Sequence, residues 1–541
     1  MHVLHDDRRA DPGQVTVVDS DGDDIGLMDY VALLNDAGEE WVGQVVVPNL
    51  NISLVGSPLE PSILRGLELR QSRPDVLVTK FVRIYAVQIL GQKVDGGLSI
   101  ARFRPTPGAK VRKLDDAETR ALICLPPARE DGANVIGILL NARGVPLAVS
   151  WSPDHLVRHT LVNGGSGSGK SNVVGNYVDN AQGMGKCVFI HDVKPDYQYC
   201  DRPNTDPLVG GAWEKFRAYG KTPRGLQNVL SVGFQGLCDA DRVDRVLGFH
   251  ASDFPPDLLA GLIFEPGDSS VQVDGFVASA QHVKDSGRRP YSFDDILDEC
   301  RRRDASAPNP VQPQDQINTL ALGAILRKVN QRRRFLPWID AVGRPIGRRA
   351  GLGGGVNDES RSVQRCSFGE LVASGRIVRV HYGSLESDND YALLLWWFLS
   401  EGHGFRKGCT VNRTAAPGLF QVIDEAHRIF SSEGRHVHRL AKTFHRVTFE
   451  GRSMDHAILL SLQNASHVPS DVLNNINTHI VMKQNNAEVA RVATQKMPKE
   501  FAQQAMRLHT GQAIVQMQDA HAPVLCEMCP SPFELMRTDN T

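Results

Sequence analysis

A chain of 541 residues, 41% of them hydrophobic, has room for a large core divided over two or three domains. Its 60 Lys and Arg against 62 Asp and Glu leave a formal charge of −2, so no global basic field draws nucleic acid to it. Any such contact must come from a local patch or from a ring of several subunits. No apolar run reaches 18 residues and the opening MHVLHDDRRADPGQ lacks the apolar stretch of a signal peptide, which predicts a cytoplasmic protein with no membrane segment. Nine scattered cysteines, an odd number, argue against a disulfide framework.

In chain order, residues 1–120 hold short β-prone runs such as GQVTVVDS, EEWVGQVVVP, NISLVG, VRIYAVQIL and LSIARFR. Gly, Asp, Asn and Pro part them, and this spacing predicts a small β-barrel. The acidic stretch DSDGDD at 19–24 reads as a solvated loop. Residues 121–210 begin a nucleotide-binding core, in which NVIGILLNARGVPLAVS leads to LVNGGSGSGKSN at 161–172. That stretch meets the pattern G-x-x-x-x-G-K-[ST] with Gly164, Gly169, Lys170 and Ser171, between the end of an apolar strand and the start of a helix. Such a turn is an anion site, because free backbone N–H groups point into the loop and glycines let the main chain close around phosphates. Gly164, Gly165, Ser166, Gly167, Ser168, Gly169, Lys170, Ser171 and Asn172 are expected to hold ATP. Lys170 would reach the β- and γ-phosphates and Ser171 would ligate Mg2+. The following strand, CVFIHD, ends in Asp192, at the end of an open α/β sheet where ligands gather.

Residues 211–365 break the alternation of strand and helix and predict an α-helical insertion. Within it Arg327, Lys328, Arg332, Arg333, Arg334, Arg344, Arg348 and Arg349 accompany Phe335 and Trp338. The run reads either as phosphate and stacking contacts to nucleic acid or as a solvated helix face with a core Trp. GLGGG at 351–355 reads as a hinge. The core resumes over 366–520 with the strand GRIVRVHYG, an apolar helix YALLLWWFLSEGHGF ending at glycine, and GLFQVIDEAHRIF. There an apolar run ends in Asp424 and Glu425. Asp424 is placed to bind Mg2+ through water, and Glu425 to polarise the attacking water, a group that a hydrolase needs and a mere nucleotide binder does not. HAILLSLQN ends in Gln463, read either as a sensor of the γ-phosphate or as a strand-ending turn residue. The strand NTHIVMK, a helix over 486–508 and the β segment GQAIVQMQ follow, and residues 521–541 are expected as a C-terminal tail. Cys526 and Cys529 give half a zinc pattern beside His521 without a second pair, so HAPVLCEMCPSPF reads as a final strand. The expected fold class is α/β, a RecA-like P-loop ATPase core with an N-terminal small β-barrel and an α-helical insertion.

Outside the insertion, nearly the whole chain resembles the HerA/FtsK class of hexameric DNA-pumping ATPases, and the HerA type in particular. The residues that carry the resemblance are FRPTPGAKVRK (103–113), HTLVNGGSGSGKSN, VFIHDVKPDYQ, FEGRSMDHAILLSLQNASHVPSDVLNNINTHIVMK (449–483) and LHTGQAIVQ (508–516). Two places depart from that pattern: Gln463-Asn464-Ala465 stands where the family reads Gln-Arg-Pro, and Pro195-Asp196-Tyr197 where it reads Gly-Glu-Tyr. The resemblance implies a homo-hexamer that handles double-stranded DNA, with nucleotide at the seams between subunits and an arginine supplied in trans. Arg452, in the Glu450-Gly451-Arg452 run, is the first candidate for that arginine and Arg446 the second; either otherwise pairs with a surface carboxylate. It further implies a Mg-ATP-dependent DNA translocase or helicase working with a separate nuclease or NAD-degrading effector subunit, in DNA end processing or antiphage defence. The alternative is an ATP-binding ring scaffold that assembles and gates an effector with little translocation of its own. Conjugative-transfer and packaging motors share the core but carry a membrane segment or a different N-terminal domain.

Overall fold

The structure is a computed structural model. It describes residues 2–3, 13–19, 25–53, 81–94, 97–123, 126–140, 147–265, 267–307, 312, 315–346, 361–383, 385, 387–430, 435–498, 501–518 and 520–536. The hinge expected at 351–355, Arg348, Arg349 and most of the acidic stretch at 19–24 lie outside them.

The N-terminal strands are β1 (His2–Val3), β2 (Gln14–Asp19), β3 (Tyr30–Leu34), β4 (Glu40–Ser53), β5 (Phe81–Val94), β6 (Gly97–Ser99) and β7 (Lys110–Lys113). They form one antiparallel sheet in the order β2-β1-β7-β3-β4-β5-β6, and β2 also pairs with β5. That second pairing closes the sheet on itself, so the expected barrel is present with β6 appended to its rim. Closure removes the open edges that an isolated small sheet would leave unpaired. Val17, Leu33, Trp41, Val45 and Tyr85 fill its interior.

The core strands are β8 (Val135–Leu139), β9 (Ala148–Ser150), β10 (Thr160–Asn163), β11 (Cys187–Asp192), β12 (Val229–Phe234), β13 (Arg245–Gly248), β14 (Gln364–Arg365), β15 (Ile377–His381), β16 (Leu419–Ile423), β17 (His456–Leu462), β18 (Thr478–Met482), β19 (Gln512–Gln516) and β20 (Val524–Met528). They make a 13-stranded sheet in the order β14-β13-β12-β15-β11-β16-β17-β10-β18-β19-β20-β8-β9. From β14 to β18 every pairing is parallel; from β18 onward every pairing is antiparallel. Buried parallel strands must be apolar on both faces, and successive residues serve opposite layers. Leu161, Phe189, Leu419, Ile423, Leu460 and Leu462 accordingly pack into one layer, whereas Val162, Val188, Ile190, Phe420, Val422 and Leu459 pack into the other.

The span expected as a helical insertion is only partly helical. Its helices are Pro256–Ile263, Ser270–Asp285, Phe293–Arg302 and Thr319–Arg332, whereas β12 and β13 within the same span belong to the core sheet. These two strands pair parallel with each other, and β12 pairs with β15 far along the chain, so their partners are invisible to a local reading. Residues 521–536 are not a separate tail: the final strand expected in HAPVLCEMCPSPF is β20, which lies between β19 and β8 in the core sheet, and Cys526 and Cys529 are buried. Burial pushes the Cys529 thiol up to about 12 and the Cys526 thiol further, which disfavours the thiolate that a metal would require. The apolar helix does not stop at its first glycine but runs Asp388–Asn412, because Gly402 lets it close on the sheet: a Cβ there would sit 2.9 Å from Gln421 Nε2. The single helix expected over 486–508 is two, Ala487–Ala493 and Phe501–Arg507, with Pro498 between them.

Candidate nucleotide site

β10 stops at Asn163 and the chain turns through residues 164–169 into the helix Lys170–Gly183. Gly167 (φ 73°) and Gly169 (φ 98°) occupy the left-handed region that a Cβ disfavours. A Cβ on Gly165 would meet Asn485 Nδ2 at 2.8 Å, so a side chain there would push the exposed Asn485 side chain aside. Two bonds tie it down from outside: Gly165 N–H donates to Lys483 O (2.8 Å) and Gly511 N–H to Ser168 O (3.1 Å). The Thr510 hydroxyl also donates to Gly167 O (3.2 Å), which gives the Thr-Gly turn of the C-terminal half a supporting role under the loop.

Within this scaffold, and among the described residues, the N–H groups of Ser166, Gly167, Gly169, Lys170 and Ser171 have no hydrogen-bond acceptor. Five convergent donors at the positive end of a 14-residue helix are what a phosphate chain needs. The buried Ser168 hydroxyl has no partner either. Lys170 Nζ donates to Gly164 O (2.7 Å) and Gly165 O (3.0 Å), folded back over the loop it would serve. Burial lowers the Lys170 pKa, and the Asp424 and Glu425 charges oppose that, which places this carboxylate pair close to the ammonium. The Asn172 side chain is turned away, accepting from Ser531 N–H (3.2 Å), so only its backbone faces the loop region.

Strand order brings the other motifs to the same edge. β17 lies between β10 and β16, with Asn163 paired to Leu462 and Ile423 to Leu460. The carboxyl ends of all three are therefore level, and Gly164, Asp424, Glu425 and Gln463 emerge together. Asp424 is partly buried and its carboxyl is raised chiefly by burial. Glu425 adopts φ 53°, its N–H donates to Asp424 Oδ1 (2.9 Å), and its Oε1 lies 2.6 Å from Lys194 Nζ. Gln463 is exposed at the end of β17. Asp192, level with Asp424 across β11 and β16, is 1% exposed with Oδ2 unpartnered, and burial pushes its carboxyl well up. Ser171 and Asp424 are the oxygen donors that suit Mg2+, a hard cation that takes a hydroxyl and a carboxylate and keeps several waters.

Arg446 and Arg452 are not part of this constellation. Arg446 is exposed on the helix Arg435–Glu450, and Arg452 is exposed in the turn before β17. β17 is seven residues long, so Arg452 lies about 20 Å from the loop, at the opposite edge of the sheet. From His456 at that edge a chain of buried polar groups runs through the core to His191 and Tyr382, near the carboxyl ends of β11 and β15. His191 Nδ1 is 2.7 Å from Tyr382 OH, and its Nε2 is 2.9 Å from Gln421 Oε1. Gln421 Nε2 in turn donates to His456 Nε2 (2.8 Å). The basic run of the insertion is divided: Trp338 is fully buried, Lys328 pairs with Asp268, Arg332 with Asp390 and Arg333 with Asp294, while Arg327, Arg334, Arg344 and Phe335 are exposed.

Lys194 was not legible as a functional residue, since a lone lysine two positions past a strand carries no motif. Its place at the carboxyl end of β11, beside Asp192, was the signal available.

In overall shape the chain is similar to the bacterial conjugative coupling protein TrwB in its unbound form, at 12% identity and a TM-score of 0.42 over 77% of this chain and 92% of that one. It is similar to VirB4 of Thermoanaerobacter pseudethanolicus at 11% identity and a TM-score of 0.44, over 74% and 97%. The genome packaging NTPase B204 of Sulfolobus turreted icosahedral virus 2, in complex with ATP-gammaS, matches at 14% identity and a TM-score of 0.22, over 30% and 71%. No protein-family model matches the sequence, and no curated protein does. Among the described residues, no helix is long and apolar enough to cross a membrane.

Proposed function

We propose that the chain is a Mg-ATP-dependent DNA translocase or helicase of the HerA type, working as a homo-hexamer on double-stranded DNA with a separate nuclease or other effector subunit, in DNA end processing or antiphage defence. The observation that supports its hydrolase core is the set of unbonded N–H groups of Ser166, Gly167, Gly169, Lys170 and Ser171, level with Asp424 and Glu425. The loop donors and Lys170 would bind the β- and γ-phosphates once the ammonium leaves the carbonyls of Gly164 and Gly165. Mg2+ held by Ser171 and Asp424 would neutralise charge between those phosphates. Glu425 would take the proton of the water that attacks the γ-phosphorus, with ADP as leaving group, and Gln463 would contact the γ-phosphate. Arg452 or Arg446, remote from its own loop, would complete the site of a neighbouring subunit. The ring, the DNA and the effector rest on the residues shared with the HerA type, above all 449–483.

The test is ATP turnover by the full chain with and without double-stranded DNA ends, on wild type and on Lys170→Ala. Turnover that DNA stimulates and Lys170→Ala abolishes is expected. Tight ATP binding without turnover under any condition would favour the scaffold reading instead.

A further inference from the structure

The ion pair between Lys194 and Glu425 is a contact of the site that a phosphate-loop description leaves unused. β11 and β16 are neighbours in register, and each of these residues lies two positions past its strand. Lys194 Nζ is 2.6 Å from Glu425 Oε1, with the lysine side chain 50% exposed and the glutamate 14%. For Lys194, burial works against its charge, but the Glu425 carboxylate outweighs this and its pKa is raised. A carboxylate held this way offers less of its lone-pair density to a water. Glu425 emerges at the same edge of the sheet as the loop, so the lysine that holds it stands at the same edge as Lys170. An anion gripped by Lys170 is therefore also within the field of Lys194.

We propose that Lys194 is a positioning residue that exchanges partners. Without nucleotide it holds Glu425; the γ-phosphate of ATP draws the ammonium away and releases Glu425 to the attacking water. ADP, lacking that phosphate, leaves the pair closed. Hydrolysis competence is then tied to the third phosphate before any neighbouring subunit takes part. The proposal rests on the reading of residues 164–171 as a triphosphate site. An ordinary half-exposed ion pair would add little stability and would not distinguish nucleotides.

The test is equilibrium binding of a non-hydrolysable ATP analogue and of ADP to the full chain with Mg2+, which needs no turnover. Lys194→Ala is expected to weaken the analogue about tenfold, the worth of one charge-assisted contact, while ADP stays within about twofold. Unchanged ADP binding also shows that the variant is folded. Lys194→Arg should restore most of the preference. Glu425→Gln, which releases the lysine, should tighten the analogue, and that gain should vanish in the Lys194→Ala background, as coupled neighbours do in a double-mutant cycle. Loss of both nucleotides alike, no loss of either, or a Glu425→Gln gain that survives without the lysine would overturn the exchange. Wild type that binds neither nucleotide would overturn the triphosphate site itself, an outcome distinct from binding without discrimination.

Discussion

The two edges of the central sheet differ in what they hold. At the carboxyl edge, Lys170, Asp424, Glu425, Gln463 and Lys194 come from four strand ends and converge around one loop. At the amino edge, Arg446 and Arg452 are exposed beside a buried histidine chain and face no nucleotide loop of their own. On the proposed reading, one chain carries most of a candidate phosphate site on one side and the candidate means of completing another on the opposite side. That separation is what a head-to-tail ring requires: each subunit must present different surfaces to its two neighbours.

The comparison breaks most decisively at the arginines. Arg452→Ala should lower ring turnover about 10³-fold, the scale of a trans-acting arginine, with nucleotide binding retained. Mixing Arg452→Ala with Lys170→Ala subunits should restore part of the activity, because some seams then pair an intact loop with an intact arginine. If Arg446→Ala shows the loss and Arg452→Ala does not, the roles are exchanged; if both retain turnover, the amino edge has no part in the chemistry. Glu425→Gln should reduce turnover about 10²-fold or more, as loss of a general base does, while ATP stays bound. Gln463→Ala should cost about tenfold, one hydrogen bond's worth, and should appear in kcat rather than in ADP affinity.

The last prediction concerns the buried histidines, His159 and His456 at the amino edge and His191 near the carboxyl edge. Burial holds His159 and His191 down at about 4 and His456 well below its usual value. The unfolded chain protonates these groups near 6.5, whereas the fold keeps them neutral, so their contribution is whole above 6.5 and is lost as pH falls toward 4. The unfolding free energy from urea titrations should drop across that window by about 1.4 kcal/mol per pH unit per histidine, and less in His191→Gln.

The carboxyl edge was legible in the sequence because its chemistry is local. A glycine-bounded loop before a lysine, or an apolar run ending in Asp-Glu, keeps its pattern wherever the strand lies. β12, β13 and β20 were not legible as members of the sheet, since what makes each a core strand is a partner far along the chain. β20 reads as a closing segment until its bonds to β8 and β19 are seen. The basic run around Arg332 looked the same for a nucleic-acid face and a structural one. The acceptors Asp268, Asp294 and Asp390, remote in sequence, give Lys328, Arg333 and Arg332 a structural part that the run itself does not show.

The placement of β20 has a mechanical side. β8 and β9 join the sheet only through β20, and Tyr30 OH and Gln44 Nε2 of the barrel both donate to Pro523 O (2.8 Å each) just before it. Asn172, on the loop helix, is bonded to Ser531 just after it. A short span near the end of the polypeptide thus serves as a connecting rod, fastened to the phosphate-gripping helix at one end and to the barrel at the other. The tie from the loop helix to the barrel runs through residues 523–531 and not through the inserted helices.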